Sequence, residues 1–208
     1  MGAYQKHGSA VKGRLKEVFP MKEKKFFTVR NVALIGVLAA MVFAMTYIGI
    51  DIPSPLGKTK IHFGNVMCIL SALLFGPGIG SLAAGIGSAL YDLQDPAWAP
   101  EFWITFINKA AMAYMAGFVM HKIRLGRDEI RIWFAGLCGT LTYCILYVTK
   151  NIISGHFVKG FTWDVAIIET VTTKVPVTLV NGVIAVICAC VLALSVRPAL
   201  KKAHILGM

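Results

Sequence analysis

Two lysines stand where a lysine is expensive. Lys109 and Lys174 each interrupt a long apolar run, and Asp92 and Glu169 are placed to act as counter-charges. A charged side chain inside a bilayer costs several kcal/mol unless it faces a cavity or a partner. Lys109 is therefore read as lying at, or just behind, a ligand cavity rather than in a purely structural ion pair. For Lys174 the two readings stay balanced. His62, Asn65, Asp92, Trp98, Trp103, Asn108, Tyr147 and Asn151 complete a candidate binding set, all at helix ends or adjoining loops. His62 either caps the helix after it or reaches a ligand. Asn65 and Asn108 are weaker members, because buried amides often only tie helices together. A tryptophan near a helix end is as readily an interfacial anchor, but Trp98 and Trp103 flank Asp92 and Lys109, where one of them can stack on a planar ring.

The same inventory argues against catalysis. Ser81 and Ser88 follow glycines, yet no histidine sits within the later apolar runs to act as their base. There is no G-x-S-x-G elbow and no phosphate-binding loop. No catalytic residue is assigned, and an ATP-driven machine built on this chain needs separate ATPase subunits. The histidines show no metal spacing, so no metal site is expected. The five cysteines lie in apolar runs without a C-x-x-C pair, which reads as buried thiols. No cofactor is implied.

Stepping outward to what must position these groups, the chain has 208 residues, of which 57% are hydrophobic. Its mean hydropathy is +0.69. Apolar runs near the ~20 residues needed to cross a bilayer recur along it. The expected fold is an all-α integral membrane protein with six transmembrane helices, near 29–48, 62–75, 78–93, 102–121, 130–153 and 164–196. The second and third are short, and they meet at a tight turn, Phe75-Gly76-Pro77-Gly78. They either cross fully or form a re-entrant hairpin. Residues 49–61, with two prolines and two glycines, read as a loop able to cover a site or merely connect. Pro176 predicts a kink.

The net charge of +11 comes from 21 Lys+Arg against 10 Asp+Glu. Most of these cations fall in the N-terminal tail, the 122–131 connector and the C-terminal end, so the positive-inside rule explains them better than nucleic acid does. N-in/C-in topology follows, with a basic cytoplasmic tail over 1–28, a membrane domain over 29–196 and a cytoplasmic tail over 197–208. The polar cluster then faces outward. Ala33, Gly36, Ala40 and Ala44 recur nearly every fourth residue, which puts small side chains on one helix face. Such a stripe admits another helix closely, either within this chain or from a partner subunit.

These residues carry a family resemblance. His62-Phe63-Gly64-Asn65, Gly76-Pro77, Ala84-Gly85-Ile86-Gly87-Ser88-Ala89-Leu90-Tyr91-Asp92 and Ile107-Asn108-Lys109-Ala110, with the alanine stripe, resemble the substrate-binding S component of an energy-coupling factor (ECF) transporter. The resemblance covers about residues 31–120. It implies a subunit of an ABC importer complex in the bacterial plasma membrane that captures a vitamin or precursor from outside. Cobalamin, pyridoxine and hydroxymethylpyrimidine types are the ligands considered. It also implies a transmembrane coupling subunit and two cytoplasmic ATPases as partners, docking on Gly36, Ala40 and Ala44 with Ala33, and a first outer loop that helps close the site. Asn108 departs from the family pattern, which is often apolar there. The alternative is a self-contained channel or facilitator, which needs a polar path through the cytoplasmic half; that half reads as apolar.

Overall fold

The computed structural model describes residues 26–54, 57–123 and 126–203. The basic tail expected over 1–28 therefore lies almost entirely outside the described residues, as do residues 204–208. Helix α1 (Val29–Tyr47) starts at an N-cap, where the Thr28 hydroxyl accepts from the Asn31 amide at 3.2 Å. Helix α2 spans Gly64–Asp92, α3 Phe102–Lys122, α4 Asp128–Phe157, α5 Trp163–Glu169 and α6 Val175–Lys202. Five helical stretches are long and apolar enough to cross a membrane. Val32, Val37, Leu141, Ile145, Val183 and Ile187 are half exposed or more on their outer faces. Such a surface suits lipid, where helices satisfy their own backbone groups.

Helix α2 is bent double. In a continuous helix, residues 20 apart lie about 30 Å apart, but Cys68 Sγ and Ser88 Oγ are 3.8 Å apart. The reversal falls on Gly76, whose φ of 87° and ψ of 177° suit glycine. Pro77 follows in the first turn of the second arm, where a missing N–H costs nothing. The two short helices expected here are the arms of this hairpin. The first arm is the centre of the molecule: Val66 to Leu74 are buried without a break. The second is wedged by glycines, Gly80 against Ala72 of the first arm, Gly85 against Phe106 of α3 and Gly87 against Val42 of α1. The turn lies beside Phe26, just before α1, and His121, at the end of α3. Helix α2 also packs on α6, α3 on α4, and α4 on α6.

Three features differ from the sequence expectation. The fold is not purely helical: residues expected as a loop form an antiparallel pair, β1 (Gly49–Ser54) and β2 (Gly57–His62). Ile50, Ile52, Thr59 and Ile61 supply β-branched residues to it, and Pro53 sits opposite Lys58. Phe63 donates to Ile48 O at 3.2 Å, so hydrogen-bonded pairs alternate from there and Pro53 falls at a position that needs no N–H toward β2. The last apolar run is divided by one wide turn, Thr170–Lys174. Pro176 cannot donate to the carbonyl four residues earlier, and the ladder there is loosened to wider spacing. Finally α6 continues past residue 196 to Lys202, because Arg197 and Lys201 reach Asp128 at the start of α4, at 3.7 and 3.4 Å.

Candidate functional site

At the end of the bundle away from Gly76, the helices part around a cavity of about 1040 Å³, counted with its open mouth. Its floor is Lys109, on α3 and 4% exposed. The ammonium donates to Asn65 Oδ1 and lies 4.0 Å over the Tyr143 ring of α4. Tyr143 and Tyr147 stack at 5.5 Å one turn apart, making a flat aromatic wall. Asn151, one turn further, donates to Tyr147 O at 2.8 Å. Asp92, Thr105 and Ser88 face this wall from α2 and α3.

The β-hairpin is the roof. Lys58 and Lys60 tie it to the end of α2 and the loop behind. Lys60 Nζ donates to the Tyr91 hydroxyl at 2.6 Å, and Lys58 pairs with Asp95 while lying 4.7 Å over the Trp98 ring. Asp95 is fixed by a local turn, its Oδ1 accepting from the Ala97 amide at 3.0 Å. The hydrogen bond from Lys58 holds the Asp95 carboxyl below the usual carboxylate range and raises the lysine in turn, so the pair stays charged across neutral pH.

The opposite margin of the roof is held by α6. With β1 bonded through alternate residues of β2, the backbone groups of Lys58, Lys60 and His62 point the other way. Asn181 meets them with both ends of its amide: Oδ1 accepts from the His62 N–H at 2.9 Å and Nδ2 donates to Lys60 O at 2.7 Å. Lys174, presented by the wide turn, donates to Lys58 O at 3.3 Å and lies 3.8 Å from Glu169. An edge that would otherwise be orphaned is thereby satisfied. Leucine at Asn181 leaves a buried N–H and C=O unpaired, each costing about 1–3 kcal/mol. Hydrogen exchange at the His62 amide of Asn181→Leu should therefore accelerate by about tenfold or more, against unchanged exchange in the first arm of α2.

Of the two roles expected of His62, the geometry shows the cap, and the ring also stands on the cavity wall. Its Nδ1 accepts from the Gly64 amide at 3.1 Å, capping α2, and it lines the cavity. Burial, then the charges of Lys109 and Lys60, push its pKa well below the ordinary imidazole range. A neutral ring agrees with an accepting Nδ1.

Of the expected binding set, His62, Asp92, Trp98, Lys109, Tyr147, Asn151 and Lys174 line this cavity. Asn65 lies beneath it, 1% exposed, as the acceptor for Lys109. Trp103 and Asn108 are not on the wall: Trp103 is half exposed on the outside of α3, and Asn108 is buried within the bundle. Asn108 is turned about 100° from Lys109 around α3, and here that turn carries it into the bundle rather than onto the cavity. Lys58, Lys60, Glu101, Lys150 and Asn181 are wall residues that the sequence reading missed. Glu101 accepts from Lys150 and, at 3.2 Å, from the Ser154 hydroxyl. The alternation of Lys58, Lys60 and His62 carries the period-two signal of a strand face.

The small residues Ala33, Gly36, Ala40 and Ala44 are all exposed, on the outer face of α1. A side chain built at Gly36 meets nothing within 4 Å. The stripe does not serve packing among the described residues.

Comparison with known proteins gives this arrangement a family. The sequence model described as "ECF-type riboflavin transporter, S component" matches residues 26–198. A protein of Pyrococcus woesei, described as "Uncharacterized protein in gap 3'region", is 43% identical over 96 residues, which is 45% of this chain and 63% of that one. A UPF0397 protein of Streptococcus agalactiae is 28% identical over 98 residues, covering 47% of this chain and 52% of its own length. A UPF0397 protein of Lacticaseibacillus casei is 22% identical over 167 residues, 80% of this chain and 83% of that one. The chain thus spans less than two thirds of the first two relatives. Because the family match runs from before α1 almost to the end of α6, the chain belongs to the ECF-type transporter S component family, a family of multi-pass membrane subunits and not of enzymes.

Proposed function

We propose that this chain is the substrate-specificity subunit of an ECF-type ABC importer, taking a vitamin or vitamin precursor from outside the cell. A transmembrane coupling subunit and two cytoplasmic ATPases supply the energy. The observation that carries this reading is the pairing of a roofed polar cavity at one end of the bundle with an unoccupied small-residue stripe, Ala33, Gly36, Ala40 and Ala44, on its flank. The first suits capture and the second suits docking of a partner helix. His62, Asp92, Trp98, Lys109, Tyr147, Asn151 and Lys174 form the ligand wall, and the β1–β2 roof closes over it. Cobalamin, pyridoxine and hydroxymethylpyrimidine types are the ligands from the sequence reading, and the description of the matched family adds riboflavin.

The subunit crosses the plasma membrane of a bacterial cell six times, N-in/C-in, with both arms of α2 crossing. Support comes from the Gly76 turn, which lies beside Phe26 and His121 at the end where the basic segments gather. The half of the bundle near that end is a dry core in which Ile69, Leu73, Met120, Ile132 and Cys190 are essentially fully buried. A self-contained channel needs a polar path there, which these side chains oppose. Uptake by proteoliposomes tests the reading. Labelled vitamin should accumulate only when the coupling subunit, the ATPases and ATP are all present. Accumulation by this chain alone would replace the importer reading with the facilitator.

A further inference from the structure

We propose that the ligand carries an anionic group, a carboxylate or a phosphate, which seats on Lys109 with its body along the Tyr143–Tyr147 wall. This rests on the substrate-binding reading above and narrows the class of molecule that it admits.

The cavity wall is lopsided in charge. Lys58, Lys60, Lys109, Lys150, Lys159 and Lys174 line it, against Asp92 and Glu101 as the lining carboxylates among the described residues. The other carboxylates that pair with these lysines, Asp51, Asp95 and Glu169, do not line the cavity. Ammonium groups therefore stand nearest the space that a ligand fills, with much of the compensating charge behind them. Lys150, Lys159 and Lys174 come from three successive segments and line the same cavity.

Lys109 is the sharpest member. It is 4% exposed, and none of the ion pairs among the described residues includes it. Its direct partners are neutral: the Asn65 carbonyl oxygen and the face of Tyr143. A buried cation met only by a dipole and a ring quadrupole is incompletely compensated. Asp92 faces the same space but forms no ion pair with Lys109, so it compensates the ammonium only from a distance, and an anion seated on Lys109 away from Asp92 gains attraction that a neutral ligand cannot. An ammonium has three donors, and a carboxylate or phosphate oxygen at the floor uses those that Asn65 leaves. The same group is attracted by Lys60 above and by the three lysines across the cavity. The stacked tyrosines beside it favour a flat or apolar body.

The test uses the full chain in lipid nanodiscs and calorimetric titration with charge-matched probes: riboflavin against riboflavin 5′-phosphate, pyridoxine against pyridoxal 5′-phosphate, and pantothenol against pantothenate. The first two pairs read a phosphate and the third a carboxylate. At least one anionic member should bind about tenfold or more tighter than its neutral counterpart. Lys109→Met should remove that preference, weakening the anionic member about tenfold more than its neutral counterpart, and Lys109→Arg should restore it. Lys109→Gln keeps a donor for Asn65, so a fold kept intact by thermal melting still reports on charge. Neutral members binding as tightly as anionic ones, or a preference that survives both Met and Gln, would overturn the anionic ligand and leave the subunit reading standing. No binding to the wild-type chain by any of these probes, nor by cobalamin or hydroxymethylpyrimidine titrated alongside them, would instead overturn the vitamin-binding reading, and the anion with it.

Discussion

Leucine at both Gly36 and Ala40 is expected to abolish assembly with the coupling subunit while ligand affinity of the isolated chain stays within about twofold. Both residues are exposed on α1, and a side chain at Gly36 meets no atom of this chain within 4 Å. Exposed substitutions away from special features usually cost under about 0.5 kcal/mol, so the fold should not register the change. A docking helix would register it strongly, because small-residue faces work by letting backbones come close. Two leucines hold a partner off by roughly the thickness of a side chain. Co-purification with the coupling subunit and titration of the isolated chain read the two effects separately. Loss of binding and assembly together would show that the stripe serves the fold.

Gly117→Leu should have the opposite profile, with the chain failing to accumulate as a folded protein. A Cβ at Gly117 would stand 2.6 Å from Pro77 N and 2.7 Å from Pro77 Cα. These are backbone atoms of the turn, which cannot swing aside as a side chain does. The turn itself is fixed by the positive φ of Gly76, so α3 and the hairpin must separate. Overpacking of ordinary cores costs about 1–3 kcal/mol, and a backbone obstacle should place this change above that range. Thermal melting in detergent, followed by size-exclusion profile, measures it. A melting curve like that of the wild type would mean that the turn is not seated on α3. Two glycines on helices that both pack against α2 thus answer the same substitution in contrary ways, because one is on an open face and the other borders a peptide bond.

The difference between what was legible and what was not follows the range of the interactions. Local patterns announced the helices, because an apolar run near bilayer length needs no distant partner to be recognised. The Gly-Pro-Gly turn was legible for the same reason, since positive φ and a missing N–H are properties of the residues themselves. Lys109 stood out by its cost in an apolar run. Asn181 gave no such sign: its partners at Lys60 and His62 lie 121 and 119 residues away, and a polar residue in a helix does not say which backbone it will meet. The β-hairpin was concealed by its prolines, which read as breakers until the register placed Pro53 at a non-bonding position. Trp103 was grouped with Trp98 by proximity in sequence. The 3₁₀ turn Ala99–Glu101 and the start of α3 intervene, and the two rings end on different surfaces. Asn108 was a failure of angle rather than of chemistry, given its place beside Lys109 on a helix.

The two margins of the roof differ in what loosens them. On the α2 side it is moored through Lys58 and Asp95, whose side chains are 31% and 23% exposed, and such charges are screened by dissolved ions. On the α6 side it is moored by the Asn181 amide to backbone groups, which ions barely touch. Concentrated electrolyte therefore slackens one seam and spares the other. The roof then behaves as a flap with its pivot along α6, opening toward Trp98, and the salt concentration bathing it becomes a setting on how readily that flap lifts.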